Sequence, residues 1–524
     1  MSGTQIASNP VVNFANNGAS GVTASPMVKA LIVNQKSASG TAISGKLYSN
    51  ISNDTNIYEG LFGKNSIMSA CIKSFKAINK YSQLDVISLD DNVGGVQATG
   101  NVTFTGTTAG VAGTIYVTIG SKKKHKYTLN VAFGATPDQI GDALAAAILA
   151  DTYAPFTSVN TSGDVAITFL HKGTIGNNIS VHVEGSVTGI TLATTAFAGG
   201  ATDPVLTTLF DNIDSIKYKA IIYPCTYDLD VLETLVESRV DYDNIDLAGV
   251  GFISKTDSKA NLVTLGEAYN SRALIIHGNE VNNNTLFKGS TIKEFDDVII
   301  TNFVAIDLLR LTPNAVIGSG YIASVELNDN IGGPSLASYP YYNTPLFDLP
   351  VIEDGDGFTR SEVKELKDAG VFVMSNNVAG TTLITDQVVT TYKTNALGIV
   401  DDSFKYLNYI RTYNEATAYQ FTRLKAELNT RLTQGTSVAG YSDINEVGIK
   451  AIMKDSYIEL SGGTYYLCPR GISSETGKDI IKEYENNLSI NISYTTGIIS
   501  ISQILPILVQ ARIINVISNL TFNI

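Results

Sequence analysis

Charge is scarce in this chain of 524 residues: Asp, Glu, Lys and Arg make up only 16% of it, against about 25% in ordinary soluble proteins. With 44% hydrophobic residues, that deficit excludes a disordered or coiled-coil protein and requires large buried cores. Positive charge is the scarcer sign. Thirty-six Lys and Arg stand against 49 Asp and Glu, a net charge of −13, so no global basic field draws in phosphate backbones or anionic membrane surfaces. Nucleic acid is therefore not expected as a main partner, membrane surfaces are disfavoured on the same grounds, and direct membrane insertion is not expected. Cysteine is nearly absent. Cys71, Cys225 and Cys468 are an odd number, widely spaced, which argues against a disulfide framework or a CxxC metal site and fits folding in a reducing compartment.

Export signals and long apolar runs are missing too. The first basic residue is Lys29, and what precedes it has neither a charged n-region nor an apolar h-region. The most apolar late stretch, Gly497 to Ile517, is broken by Gln503, Pro506, Gln510, Arg512 and Asn515, too many polar groups for a membrane span. A soluble protein of roughly three or four domains is expected from the length.

Catalytic material is thin. There are four histidines. His125 lies in the run Lys122 to Lys126 (KKKHK) and His182 falls on the polar side of a predicted strand, so surface placement is expected for both. His171 and His277 sit beside strand ends with no GxSxG serine nearby. Gly40 to Lys46 (GTAISGK) has the spacing of a phosphate-binding loop, but Leu47 stands where a Ser or Thr is needed to hold magnesium. Gly318-Ser319-Gly320 lacks the third glycine of a dinucleotide loop. Asp354, Asp356 and Glu365 mimic a calcium loop, but Phe358 and Thr359 take positions that need a ligand and a glycine. No catalytic residue, metal site or cofactor site is expected.

What the chain does have is a change of rhythm along its length. Residues 1–26 are rich in Asn, Ser, Gly and Ala around an apolar island, Val11, Val12 and Phe14, the composition of an arm without its own core. Val28 to Val33, then Ile67, Cys71, Phe75 and Ile78 at helical spacing, then Leu84 to Leu89 predict β, α, β. From Val93 to Asp203 the chain holds 16 Gly and 19 Thr but only 11 charged residues. Alternation at Ile115, Val117, Ile119 and at Val165, Ile167, Phe169 predicts strands there. Thr136, Pro137 and Gln139 start a helix with a capping box. After Pro204, strand and helix patterns alternate again, which argues for a parallel sheet. Thr359 to Glu362 is a second capping box, before a helix ending near Gly370 and a strand from Val371 to Met374. A long helix is predicted from Asp401 to about Leu432 and a shorter one from Ile444 to Lys454. At the end, Ile514, Val516, Leu520, Phe522 and Ile524 alternate with polar residues, a strand that must find a sheet edge in its own molecule or in a neighbour's.

The expected fold is therefore α+β and multidomain: an α/β core split by an inserted, mostly β domain, plus an α+β C-terminal domain and extended arms at both ends. The expected boundaries are 1–26 for the N-terminal arm, 27–92 with 204–385 for the core, 93–203 for the insert, 386–506 for the C-terminal domain and 507–524 for the C-terminal arm.

In this order, several short motifs resemble those of tail sheath proteins of contractile-tailed bacteriophages, particularly the Mu-like kind. They are Leu61-Phe62-Gly63 before the helix with Ser66, Met68 and Phe75; His171-Lys172-Gly173-Thr174-Ile175-Gly176-Asn177; Phe358-Thr359 before Glu362; and Asp368-Ala369-Gly370-Val371. The most telling is Val389-Thr390-Thr391-Tyr392 followed by Asn395, Gly398 and Asp402. The resemblance spans nearly the whole chain. It implies a structural protein, not an enzyme, that assembles with itself into a helical sheath around a tail tube and contracts by rigid-body rearrangement. Its implied partners are the tube, baseplate and tail terminator proteins; its implied place is the phage tail, assembled in the host cytoplasm. It also implies that Val11, Val12, Phe14, Ile514, Val516, Leu520, Phe522 and Ile524 exchange strands with neighbouring subunits. A secreted or surface β-rich adhesin is the alternative expectation, motivated by the Thr/Gly-rich insert, and a hydrolase using His171 or His277 is a third.

Overall fold

The computed structural model describes residues 28–507, apart from 121–124, 178, 206–208, 224–227, 241, 281–292, 312–343, 347–348, 350, 353–356, 426–430, 433–442, 463–466, 475, 494–497 and 504. The strand-exchange residues expected at both ends, Val11, Val12, Phe14, Ile514, Val516, Leu520, Phe522 and Ile524, lie outside the described residues. So do Cys225, Gly318 to Gly320, Asp354 and Asp356.

The first elements are β1 (Lys29–Gln35), β2 (Leu47–Tyr48), α1 (Thr55–Phe62), α2 (Ile67–Ile78) and β3 (Gln83–Leu89). β1 and β3 are nearly continuous runs of apolar residues because both of their faces are covered. Ser66 caps α2 by accepting from the Ser69 N–H at 3.0 Å. The helix buries Ile67, Cys71, Ile72 and Phe75, and each large apolar side chain contributes roughly 2 kcal/mol. Past Leu89 the chain leaves this sheet. It then forms β4 (Gln97–Gly106), β5 (Gly113–Ile119), β6 (Lys126–Val131), α3 (Pro137–Ala150), β7 (Phe156–Thr161), β8 (Asp164–Lys172), β9 (Val181–Glu184) and β10 (Ile190–Ala198).

It returns with β11 (Ala220–Ile222), α4 (Leu229–Val240), β12 (Val250–Asp257), α5 (Lys259–Glu267), β13 (Leu274–Glu280), α6 (Lys293–Arg310), β14 (Pro345–Leu346), α7 (Arg360–Asp368), β15 (Val371–Asn376) and β16 (Leu383–Thr385). A nine-stranded sheet results, in the order β14-β16-β15-β13-β12-β11-β1-β3-β2. β15, β13, β12, β11, β1 and β3 run parallel. Successive residues of β12 face opposite sides. Phe252 meets Phe303 of α6 at 6.1 Å between ring centroids, while a Cβ at Gly251 would stand 3.2 Å from Val236 of α4. Helices thus cover both faces. In α6, every residue from Val298 to Leu309 is buried, as expected of a helix packed on several sides.

The segment between β3 and β11 makes two antiparallel sheets, β10-β4-β8-β7 and β6-β5-β9. The capping box at the start of α3 is present in full, as is the one at Thr359 that starts α7. α3 turns Ile140, Leu144 and Ile148 inward, all buried.

Beyond Thr385 come α8 (Leu407–Lys425), β17 (Arg431–Leu432), β18 (Asp443–Ile444), α9 (Glu446–Leu460), α10 (Ile480–Asn487), β19 (Ser489–Ser493) and β20 (Ile498–Ser502). The long helix expected over Asp401 to Leu432 is shorter at both ends. Tyr406 is bridged to Val389 and residues 403–405 before it form a turn and bend, while Leu432 pairs with Ile444 in a small sheet. Local sheet pairing outcompetes helical spacing there. Ile444, expected in the next helix, is likewise a strand residue, and Asn445 caps α9 by accepting from the Gly448 N–H.

Candidate functional site

The two histidines that could serve a hydrolase are enclosed. His277 on β13 is 1% exposed and its Nδ1 lies 2.8 Å from the Ser254 hydroxyl on the adjacent β12. Its Nε2 makes no hydrogen bond, and burial pulls its pKa down to about 3. A Ser–His pair is present, but both members are sealed from substrate. His171 is 0% exposed and committed to protein partners through both ring nitrogens. His125 corrects the surface expectation. It is 3% exposed, set edge-on against Phe156 at 5.4 Å, with Nδ1 3.2 Å from Asp151. The lysines around it misrepresent its own environment, because position 125 enters the aromatic core of the insert.

The GTAISGK stretch is a packing loop. A Cβ on Gly40 would sit 2.6 Å from the Leu61 carbonyl, and Lys46 leads into β2 rather than into a helix whose N-terminus could hold phosphate. Among the described residues, no group of His, Cys, Asp and Glu could hold a metal ion, and no helix is long and apolar enough to cross a membrane. Even the crevice expected of a doubly wound sheet is occupied at one side. The strand order reverses next to β1, and Gln35 at its C-terminal end donates to the Lys172 carbonyl of β8 at 3.0 Å.

His277 carries a pH prediction. Its folded-state pKa lies below the ordinary 6.5, so the unfolded chain binds the proton more readily. The stability it contributes is complete above pH 6.5 and is lost as pH falls towards 3, by up to about 1.4 kcal/mol per pH unit. His277→Leu is expected to flatten that part of the acid limb in urea melts at pH 7, 6 and 5; parallel curves for variant and parent would refute the assignment.

The site of interest lies instead in the C-terminal unit, at an open piece of sheet. β19 and β20 pair antiparallel, from Ser489 with Ser502 to Ser493 with Ile498. Among the described residues, neither strand has a second partner. Ile490 and Ile492 turn towards α9, where Ile449, Met453 and Leu488 form a small core also touched by Leu424 and Ile501; Ser489 and Asn491 are exposed. A two-stranded ribbon is marginal alone, and this one is held by its helices. Tyr457 of α9 stacks on Tyr484 of α10 at 4.3 Å and 18°. Gln420 Nε2 donates to the Tyr484 hydroxyl at 3.0 Å, that hydroxyl donates to Gln503 Oε1 at 2.7 Å, and Gln503 Nε2 donates to Gln420 Oε1 at 2.9 Å. This closed ring ties α8 and α10 to the end of β20. Lys454 and Glu485 join α9 to α10 at 2.7 Å. Burial pushes the Tyr457 phenol up and the Cys468 thiol up to about 12, which leaves the thiol inert. Among the described residues, the ribbon's two outer edges thus carry no further strand, and its helices hold it in place.

A buried ionic junction anchors this unit to the nine-stranded sheet. Arg411 of α8 reaches Asp307 of α6 at 2.5 Å and also donates to the Lys219 carbonyl. Lys219 pairs with Glu415, and burial, with Lys217 and Arg411 nearby, pulls the Lys219 amine well below its usual range. Sequence periodicity passed over these residues. The available signal was Arg411 beside Ile410, on the apolar stripe of a helix with Leu407.

No family model matches the chain. Against curated proteins it is similar to the Mu-like prophage FluMu tail sheath protein of Haemophilus influenzae, 25% identical over 434 residues, which cover 81% of this chain and 78% of that protein. Among solved structures it is similar to the sheath tail protein from Desulfitobacterium hafniense, with a TM-score of 0.43 and 11% identity, covering 92% of this chain and 97% of the other. The sheath tail protein from Listeria innocua gives a TM-score of 0.43 and 12% identity, covering 93% of each chain. At those scores the weight rests on the sequence similarity.

Proposed function

We propose that this chain, similar to a Mu-like tail sheath protein over four fifths of its length, is a structural component of a contractile phage tail that builds a helical sheath with copies of itself. The observation that carries the reading is the β19-β20 ribbon, without a further strand partner among the described residues, taken together with the alternating apolar pattern of residues 514–524. An extended segment adds to such an edge through main-chain hydrogen bonds, while Ile514, Val516, Leu520, Phe522 and Ile524 supply an apolar face. The island Val11, Val12 and Phe14 would join the same composite sheet from another neighbour. Residues 93–203 form the outer insert in this reading, and 386–506 face the tube.

Head-to-tail contacts that do not close on themselves generate tubes. Strand joints hold subunits together through a reorientation, so contraction proceeds as a rigid-body rearrangement out of a metastable extended array and needs no nucleotide. Tube, baseplate and terminator proteins are the partners, and the phage tail, assembled in the host cytoplasm, is the location. The structure of His171 and His277 gives the hydrolase reading no support.

Negative-stain electron microscopy of the purified chain, with size-exclusion chromatography alongside, tests this directly. Long hollow tubes are expected. Compact monomers alone, even with a candidate tube protein present, would overturn the proposal and return weight to the adhesin.

A further inference from the structure

The two chain segments that join the insert to the nine-stranded sheet run side by side: Val96 and Ala201 exchange backbone hydrogen bonds at 2.9 and 3.1 Å. Two adjacent strands of backbone are a ready hinge. Val93, just before them, has a 96% exposed side chain, and among the described residues its carbonyl is held only by Lys172 Nζ of the insert at 3.3 Å.

A second point of attachment lies beyond the hinge, and it is polar and buried. His171, near the end of β8, accepts a hydrogen bond at Nε2 from the Ile67 N–H, the first residue of α2, at 3.3 Å. That leaves the ring proton on Nδ1, which points at Asp91 Oδ1, 3.4 Å away. The same carboxylate oxygen accepts from Gln35 Nε2 at 2.7 Å, and Gln35 Nε2 also donates to the Lys172 carbonyl at 3.0 Å. Burial raises the Asp91 carboxyl, and the contacts from His171, Lys172 and Gln35 more than offset it, leaving it below its usual value. On its other side the His171 ring meets Phe169 at 5.8 Å, which meets Phe156 at 5.8 Å, and Phe156 meets Phe197 at 5.5 Å. One imidazole thus connects the aromatic core of the insert to α2, β1 and the end of β3. A second tie runs parallel: Asp203 accepts from the Thr174 N–H at 2.6 Å and from its hydroxyl at 2.7 Å, while Asn92 donates to the Asp203 carbonyl.

We propose that the His171–Asp91–Gln35 cluster is a latch that converts the two-strand hinge into a fixed joint, so that the insert and the nine-stranded sheet move as a single rigid body. The cluster suits that task because it is directional. An apolar contact can slide, whereas an imidazole of the insert with both nitrogens bonded to the core, one contact buried and one part-buried, loses two hydrogen bonds on rotation, which is costly in an enclosed setting. The latch belongs to the fold and holds whether or not the chain builds a sheath. In a sheath, it would carry any rotation of the core outward without loss.

Double electron–electron resonance on the full chain tests the latch. Spin labels go on Val159→Cys in the insert and Val378→Cys at the far turn of the core; both sites are exposed. Cys225→Ser removes the cysteine outside the described residues, while Cys71 and Cys468 are buried. The parent should give one narrow distance distribution, and His171→Ala should broaden it at least about twofold without loss of the cooperative melt. If His171→Ala fails to fold, Asp91→Asn, which keeps the packing and removes the charge that orients the ring, is read by the same criterion. A broad distribution in the parent, or an unchanged one in the variant that folds, would overturn the latch.

Discussion

A chain lacking residues 514–524 is expected to fold, run as a monomer and form no tubes. The reason is the division of labour between backbone and side chains in an added strand. In the proposed sheath the ribbon of Ser489–Ser493 and Ile498–Ser502, without a further strand partner among the described residues, supplies the edges, but an edge alone binds any extended chain weakly; the five alternating apolar residues of the tail would decide which chain stays. Their removal should leave the stability of the nine-stranded sheet unchanged, since β1 to β3 and β11 to β16 form it without them. Thermal melts within error of the parent, with tubes absent from micrographs, are the expected pair of results. Tubes in normal yield would remove strand exchange from the proposed function while leaving the sheath itself standing. Restoring the residues as Ile514→Asp with Phe522→Asp tests the apolar face separately from the backbone, and is expected to restore no tubes.

Arg411→Ala is expected to destabilise the joint between the C-terminal unit and the core by about 3–5 kcal/mol. The guanidinium and its carboxylate partner are 2% and 1% exposed, so truncation leaves Asp307 charged in a dry setting without this cation. It also withdraws the donor to the Lys219 carbonyl. The double change Arg411→Met with Asp307→Leu should recover most of the loss, because a buried pair replaced as a unit by apolar side chains avoids the cost of an orphaned charge. Urea titration followed by circular dichroism measures both. A single variant within about 1 kcal/mol of the parent would show that water reaches the junction.

Local chemistry accounts for what could be foreseen. The capping boxes at Thr136 and Thr359 were legible because each is closed within four residues. The strands around Ile115 and Val165 were legible because one face is buried and the other is not. Where a non-local partner decides, the reading slipped. The residues before Leu407 carry apolar spacing fit for a helix, yet Tyr406 is drawn into a bridge with Val389. His125 sits among lysines in the chain and among phenylalanines in space.

The candidate site divides the same way. Composition and spacing alone argued against catalytic, metal and nucleic-acid chemistry and marked a Thr/Gly-rich insert and an alternating apolar pattern at the end, because these depend on residue type and period. Only tertiary structure could show that β19 and β20 stand as a ribbon with no further strand partner among the described residues, that His277 faces Ser254 inside a closed core, and that His171 reaches Ile67 and Asp91 across 104 and 80 residues of chain. An edge is open, and a histidine is committed, by virtue of what the rest of the chain places beside it. That is a property of packing between distant segments, which no window of sequence contains.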